Sequence, residues 1–200
     1  MVAAATYSAL GSTDLIFLAG GGIIGHPSGP KAGVQSLVEA WQAAVAGVPV
    51  GRVLDIENPV AETSPKPPGA GSVIVIVATD APLLPGQCKA LARRVPLGLA
   101  RTGTTGSHFS GDIFLAFSTA NAGSMSTGYA ARPTEGTLEQ LEFLPWAHID
   151  LLYTAVVQCV EEAVVNVLVA AETMVGRNGF TSPALPIEPT LDLLRQSGRL

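Results

Sequence analysis

Two hundred residues are enough for one domain, or one domain with an appendage, and a net charge of −5 with no basic block excludes the electrostatic footprint of a nucleic-acid binder. At 48% hydrophobic and 14% charged residues, with 22 Gly, 15 Pro and 6% aromatics, the chain suits a tightly packed α/β or α+β core. The apolar run from Leu151 to Val175 is broken by Gln158, Glu161, Glu162, Asn166 and Glu172, too polar for a membrane span, and Asp14 stands where a signal peptide would be apolar.

The chain opens with Asp14 to Ala19, a short apolar run that reads as a buried strand leading into Gly20-Gly21-Gly22. Residues 23–33 form a loop by composition. From Lys31 to Ala46 the apolar positions Val34, Leu37, Val38, Trp41, Ala44 and Val45 recur at helical spacing, and Gly47 ends the helix. A strand, a glycine-rich turn and a helix can hold an anion on free backbone N–H groups, so Gly20, Gly21 and Gly22 are candidate phosphate-binding residues; a tight turn without ligand is the equal alternative.

Val48 to Gly71 holds Pro59, Pro65, Pro67 and Pro68 among Ser, Thr and Glu, and reads as an exposed linker that tolerates cleavage. Ser72 to Ala78 follows as a β-branched apolar strand, closed by Thr79-Asp80-Ala81-Pro82. Leu83 to Arg101 predicts a helix with Leu84, Cys88, Leu91, Ala92 and Val95 on one face, bent or interrupted at Pro96 and Gly98. Thr102 to Gly111 is a small-polar loop, and Ile113 to Ser118 a second buried strand ended by Thr119-Ala120-Asn121. Residues 122–145 show weak periodicity and read as a variable surface region. Trp146 to Met174 carries the longest helical pattern, with Leu152, Ala155, Val156, Cys159, Val160, Ala163, Val167, Ala170 and Ala171 in its packing stripe and Gly176 as its cap. The tail from Ile187 to Leu194 predicts a short helix. Helices around short, wholly apolar strands predict a layered α/β sandwich.

Four polar groups stand where the strands or their loops end: Ser72, Ser110, Asp112 and, farther on, Asn121. Ser72 opens the first of the two apolar strands, and Ser110 and Asp112 flank Gly111 just before the second. If the strands run side by side with aligned starts, these three side chains meet. Ser72 is then either a strand-start residue or a nucleophile, and the Ser110/Asp112 pair either a turn signal or its partners. His26, His108 and His148 are scattered and supply neither a usual triad nor a zinc site, although His108, two residues from Ser110, stays open as a base; no metal or cofactor is expected. A serine without a histidine base is activated by its own α-amine when it begins a chain. That makes the bond between Gly71 and Ser72 the decisive one. Cys88 and Cys159 fall in helical stretches without ligand spacing, which predicts free buried thiols and a cytoplasmic, reducing location.

Two resemblances cover the chain. Phe17 to Pro30, with Gly33 and Trp41, looks like the last strand and helix of the barrel in RuBisCO and RuBisCO-like proteins, whose glycines bind a substrate phosphate; the stretch concerned is about residues 6–46. One βα unit cannot close a barrel, so that activity is not expected here. From about residue 48 to 200 the chain resembles the L-aminopeptidase/D-esterase family, the DmpA-like enzymes that include the β-peptidyl aminopeptidases. The matching stretches are Lys66 to Ser72, Val77 to Pro85, Leu91 to Gly103, Ser110 to Asn121, Glu161 to Asn166 and Ala170 to Met174.

This second resemblance implies a layered αββα sandwich and a precursor that cleaves itself before Ser72 into α and β chains. It implies that Ser72 becomes an N-terminal nucleophile, with Ser110 as a second active-site serine and Asp112 as the acidic partner. Substrates would be short peptides or amino-acid amides and esters, and the protein a homo-oligomer. The implied division is a strand, loop and helix segment at 1–47, a linker with the cleavage site at 48–71, and a β-chain domain at 72–200. The family's α chain is far longer than residues 1–71 and supplies the oxyanion-hole asparagine and much of the sheet, so the expected sandwich is incomplete. A β-chain-like module that works only by assembling with another chain is the alternative, and a phosphate-binding βα unit a third.

Overall fold

The computed structural model describes the backbone at 17–18 and residues 44–54, 72–106, 108, 110–124, 140–176, 179 and 181–200. Residues 31–43 of the helix expected over Lys31 to Ala46, Gly20-Gly21-Gly22, His26 and Gly71 lie outside the described residues.

The centre is a pair of parallel strands. Here β1 is Phe17–Leu18, β2 is Ile74–Thr79 and β3 is Ile113–Ser118. β2 and β3 run parallel in register from Ile74 opposite Ile113 to Thr79 opposite Ser118, and β1 pairs antiparallel to the other edge of β2, Phe17 opposite Val77 and Leu18 opposite Ile76. A parallel pair needs a crossover. Two helices supply it: α2, Pro85–Ala92, and α3, Val95–Arg101. The chain before them adds α1, Val50–Val53; the chain after them adds a 3₁₀ turn at Trp146–His148, α4 at Asp150–Ala170, a hairpin of β4 (Met174–Val175) and β5 (Thr181–Ser182), and α5 at Ile187–Gln196.

The helices cover one face of the sheet. Val75 and Val77 of β2 are buried with Leu83, Leu91, Val95, Leu99, Leu152, Val156 and Val160 in the main core, and Phe114 and Ala116 of β3 pack against it. Each such side chain, fully buried, stabilises by about 1.5–3 kcal/mol. Strand alternation sends the intervening residues to the other face. There Ile74 is 52% exposed, Ile113 59%, Leu115 52% and Phe117 42%, so the described residues hold one helix layer, one sheet layer and an open apolar surface. Within the stretch expected to be too polar for a membrane span, α4 is by length and composition alone apolar enough to cross one, and the structure uses its Leu152, Val156 and Val160 side as core.

Several expected boundaries shift for local reasons. The single helix expected over Leu83 to Arg101 is two, broken at Arg93 and Arg94; Pro96 and Gly98 lie inside α3, where a proline in the first turn lacks only an N–H that no carbonyl would meet. Gln87 orders the start of α2, its Oε1 accepting the Leu84 N–H at 2.9 Å while its Nε2 donates to the Leu144 carbonyl at 2.6 Å. α4 ends at Ala170 and not at Met174; Ala171 is extended, and Gly176 follows β4 instead of capping the helix. The helix expected to reach Ala46 gives way to a turn, with Ala46 at φ 50° and Gly47 at φ 79° between bridged Val45 and Val48. Residues 48–54, expected as the start of a linker, are folded: Val48 and Val50 are buried in a second small core with Leu194 of α5. Leu144, expected in a variable surface region, is held by the Leu144 N–H donating to the Pro82 carbonyl as well as by Gln87.

Candidate active site

Parallel register brings the two strand starts together, the condition on which the sequence reading rested. Extended upstream from Ile74 opposite Ile113, it sets Ser72 across from Gly111. The backbone ladder reaches its last rung where the Ile113 N–H donates to the Val73 carbonyl at 3.0 Å. Beyond that rung, side chains take over as acceptors. The Val73 N–H donates to Asp112 Oδ1 at 2.9 Å, and the Gly111 N–H donates to Ser72 Oγ at 2.9 Å. In an unbroken parallel ladder those N–H groups would go to the carbonyls of residues 111 and 71. A carboxylate and a hydroxyl stand in for two carbonyls.

The exposure of these groups differs. Ser72, Gly111 and Asp112 are exposed, and by alternation Ser72 lies on the open apolar face, at the head of the column Ile74, Ile76 and Ala78. Ser110 Oγ is buried without a hydrogen-bond partner among the described residues. Leaving a buried hydroxyl unpaired costs about 1–3 kcal/mol, a cost that proteins tend to keep at sites with a use for the group. The site thus has a hydroxyl fixed from one side by a backbone donor, a carboxylate one residue along on the neighbouring strand, and a second hydroxyl with its hydrogen-bonding capacity unspent.

The other polar residues lie elsewhere. Asn121 follows the far end of β3, and its side-chain amide both donates to the Glu142 carbonyl and accepts the Glu142 N–H, each at 3.0 Å, which ties down the segment before α4. His148 sits in the 3₁₀ turn before α4, and His108 in the loop ahead of Ser110. Among the described residues no three His, Cys, Asp or Glu side chains gather as a metal site would require. Gly111 was missed as a site residue from the sequence. The available signal was numerical: Ser72 and Gly111 each stand two residues before the first residue of their strands.

Known proteins match this arrangement of chain. The model of peptidase family S58 matches residues 32–182, beginning inside the segment that resembles RuBisCO-like proteins. The beta-peptidyl aminopeptidase BapA of Sphingosinicella microcystinivorans is 42% identical over 165 residues, which are 78% of this chain and 40% of that protein. The solved L-aminopeptidase D-Ala-esterase/amidase of Ochrobactrum anthropi, described as a variant of the Ntn hydrolase fold, superposes with a TM-score of 0.64 at 40% identity over 80% of this chain and 40% of its own. A ribulose bisphosphate carboxylase-like protein of Bordetella bronchiseptica is 59% identical over 44 residues, 22% of this chain and 10% of that one. The chain therefore spans about two fifths of the aminopeptidase relatives' length. The helix layer and sheet layer described above are part of their layered sandwich, and the expected fold, incomplete, is the observed one. With the family model matching residues 32–182, three quarters of its length, and with the superposition on a solved aminopeptidase beside it, this chain belongs to peptidase family S58.

Proposed function

We propose that this chain carries the nucleophile of a self-processing N-terminal serine aminopeptidase acting on short peptides or amino-acid amides and esters. The observation that carries the reading is the position of Ser72: its hydroxyl is exposed at the head of β2 and held by the Gly111 N–H, with Asp112 and Ser110 on the adjoining strand start. In processing, Ser72 Oγ attacks the Gly71 carbonyl carbon, the hydroxyl proton passes to the departing Ser72 nitrogen, and the amide becomes an ester. Water then hydrolyses that ester, leaving a carboxylate on Gly71 and a free amine and hydroxyl on Ser72. In turnover the α-amine accepts the hydroxyl proton as Oγ attacks a substrate carbonyl, and returns it to the leaving amine. Water resolves the acyl-enzyme with the same amine as base. Asp112 fixes the Val73 N–H beside this amine, and Ser110 supplies the unspent hydroxyl. The reading keeps the division at 1–47, 48–71 and 72–200, with 48–54 folded ahead of the cleavage stretch, and a cytoplasmic location, in keeping with Cys88 and Cys159 being buried and outside any disulfide.

Intact-mass measurement tests it. The purified chain resolves into two fragments in denaturant, the larger beginning at Ser72, and Ser72→Ala stays whole. In native buffer the fragments remain together, because Val48 and Val50 before the cut pack on Leu194 after it, and β1 pairs with β2. A single intact wild-type chain removes the reading.

The open sheet face favours a second reading, in which the chain works only once another sheet covers it. Ile74, Ile113, Leu115 and Phe117 are exposed there beside Ser72, and the longer relatives have the chain length for a second layer. Peptidase activity that appears only in an assembled fraction supports that version over the first.

A further inference from the structure

The displaced rung between Gly111 and Ser72 has a chemical consequence. Gly111 is not in a left-handed conformation, so backbone strain does not call for glycine there. What constrains the position is the oxygen beside it. A Cβ built on Gly111 would lie 3.5 Å from Ser72 Oγ, an ordinary contact distance, with nothing else within 4 Å among the described residues beyond its chain neighbours. Any side chain longer than alanine's would extend onto the open face where Oγ has to meet a carbonyl. The Gly111 N–H, meanwhile, donates to Oγ instead of to the residue ahead of Ser72.

We propose that Gly111 is a further catalytic residue: its backbone N–H holds the Ser72 hydroxyl in position and stabilises the negative charge that Oγ carries as it gains or loses its acyl group. An N–H can accompany Oγ through every step, because it donates to a lone pair and leaves the hydroxyl proton to be taken from another direction. The bond strengthens as Oγ loses its proton, since hydrogen bonds to an ionised acceptor are roughly twice as strong as neutral ones. The same donor helps expel Oγ when water opens the ester. The side chain is absent so that the carbonyl can approach. This inference rests on Ser72 being the nucleophile.

The test replaces Gly111 in the full chain with glycolic acid, which turns the 110–111 amide into an ester and deletes the N–H while keeping the shape. Self-cleavage is followed by intact mass beside wild type, Gly111→Ala and Gly111→Val, with circular dichroism to confirm folding. Losing a hydrogen bond to an acceptor that gains charge as its proton leaves is worth roughly tenfold to a hundredfold, so the glycolate chain is expected to cleave tenfold to a hundredfold slower. Gly111→Ala, which keeps the N–H and adds one methyl, is expected to slow less than the glycolate, and Gly111→Val more than Gly111→Ala. Amide exchange at Gly111 is slowed in wild type and speeds up in Ser72→Ala. A folded glycolate chain that cleaves at the wild-type rate overturns the role of Gly111 and leaves Ser72 as nucleophile. A wild-type chain that stays whole overturns the nucleophile, and the role of Gly111 with it.

Discussion

Cys88 lies on the buried side of α2, and burial pushes its thiol above the ordinary range, against smaller downward pulls from its own backbone and that of Ser118. The folded chain therefore keeps this proton to a higher pH than the unfolded one. The stabilisation is complete below the ordinary thiol range and is lost as pH rises through the raised value. Denaturant midpoints measured at neutral and at alkaline pH are expected to fall further in wild type than in Cys88→Ala, and iodoacetamide to label Cys88 at least about tenfold faster in urea than in native buffer. Equal labelling in both would contradict the burial. Single residues were readable to the extent that their neighbours in sequence define them. Ser72 was visible because a Pro- and Gly-rich stretch runs into it and a β-branched strand leaves it. Gly111 was visible only as a spacer between Ser110 and Asp112, since its partner is 39 positions away in the chain.

Between elements, the contact that sets the spacing of the helix layer is α3 against α4. A Cβ on Gly98 would fall 2.6 Å from Val160 Cβ and 2.7 Å from the Val157 carbonyl oxygen, closer than any real contact. Part of that wall is backbone, so the two helices have to separate to admit a methyl. Gly98→Ala is expected to destabilise the fold by about 1–3 kcal/mol in denaturant titration. Among the described residues nothing lies within 4 Å of a Cβ placed on Gly86 of α2, and Gly86→Ala is expected to be neutral or stabilising by up to about 1 kcal/mol. The reverse order of these two variants would remove the argument. The layer is further tied by Arg94, which lies over the Tyr153 ring at 4.1 Å, and by Arg101, paired with Glu161 at 3.0 Å. The Arg101 pair, partly exposed, contributes at most about 1 kcal/mol. Helical periodicity revealed the stripes of α2 and α4, and placed the tail helix α5 two residues short of its end. It misread Gly98 as a breaker, because a glycine that ends a helix and one that lets two helices touch look alike in sequence.

For the molecule as a whole, the open sheet face is the feature that matters. A wholly apolar strand signals two covered faces, yet β3 is covered on one only among the described residues, with Ile113, Leu115 and Phe117 exposed on the other. Sheets that stack do so about 10 Å apart through such surfaces. Wild type is expected to associate through this face, and Leu115→Glu, placed where the side chain is already half exposed, to reduce the mass seen by light scattering toward the 20.5 kDa of one chain while keeping the native circular dichroism. An unchanged mass would locate association elsewhere.

By itself the sequence determined the two apolar strands, the helices that pack on them, the serine at the first strand's start and the Ser110-Gly111-Asp112 turn at the second's, because each rests on spacing within a short window. Tertiary structure decided the rest. Strand pairing is a property of residues far apart in the chain, and a parallel register with Ile74 opposite Ile113 is what sets Ser72 across from Gly111 and Asp112 against Val73. It also decided which side of the sheet is covered, and so turned a serine at the head of a strand into one that stands exposed on an open face, with a backbone N–H already on its oxygen.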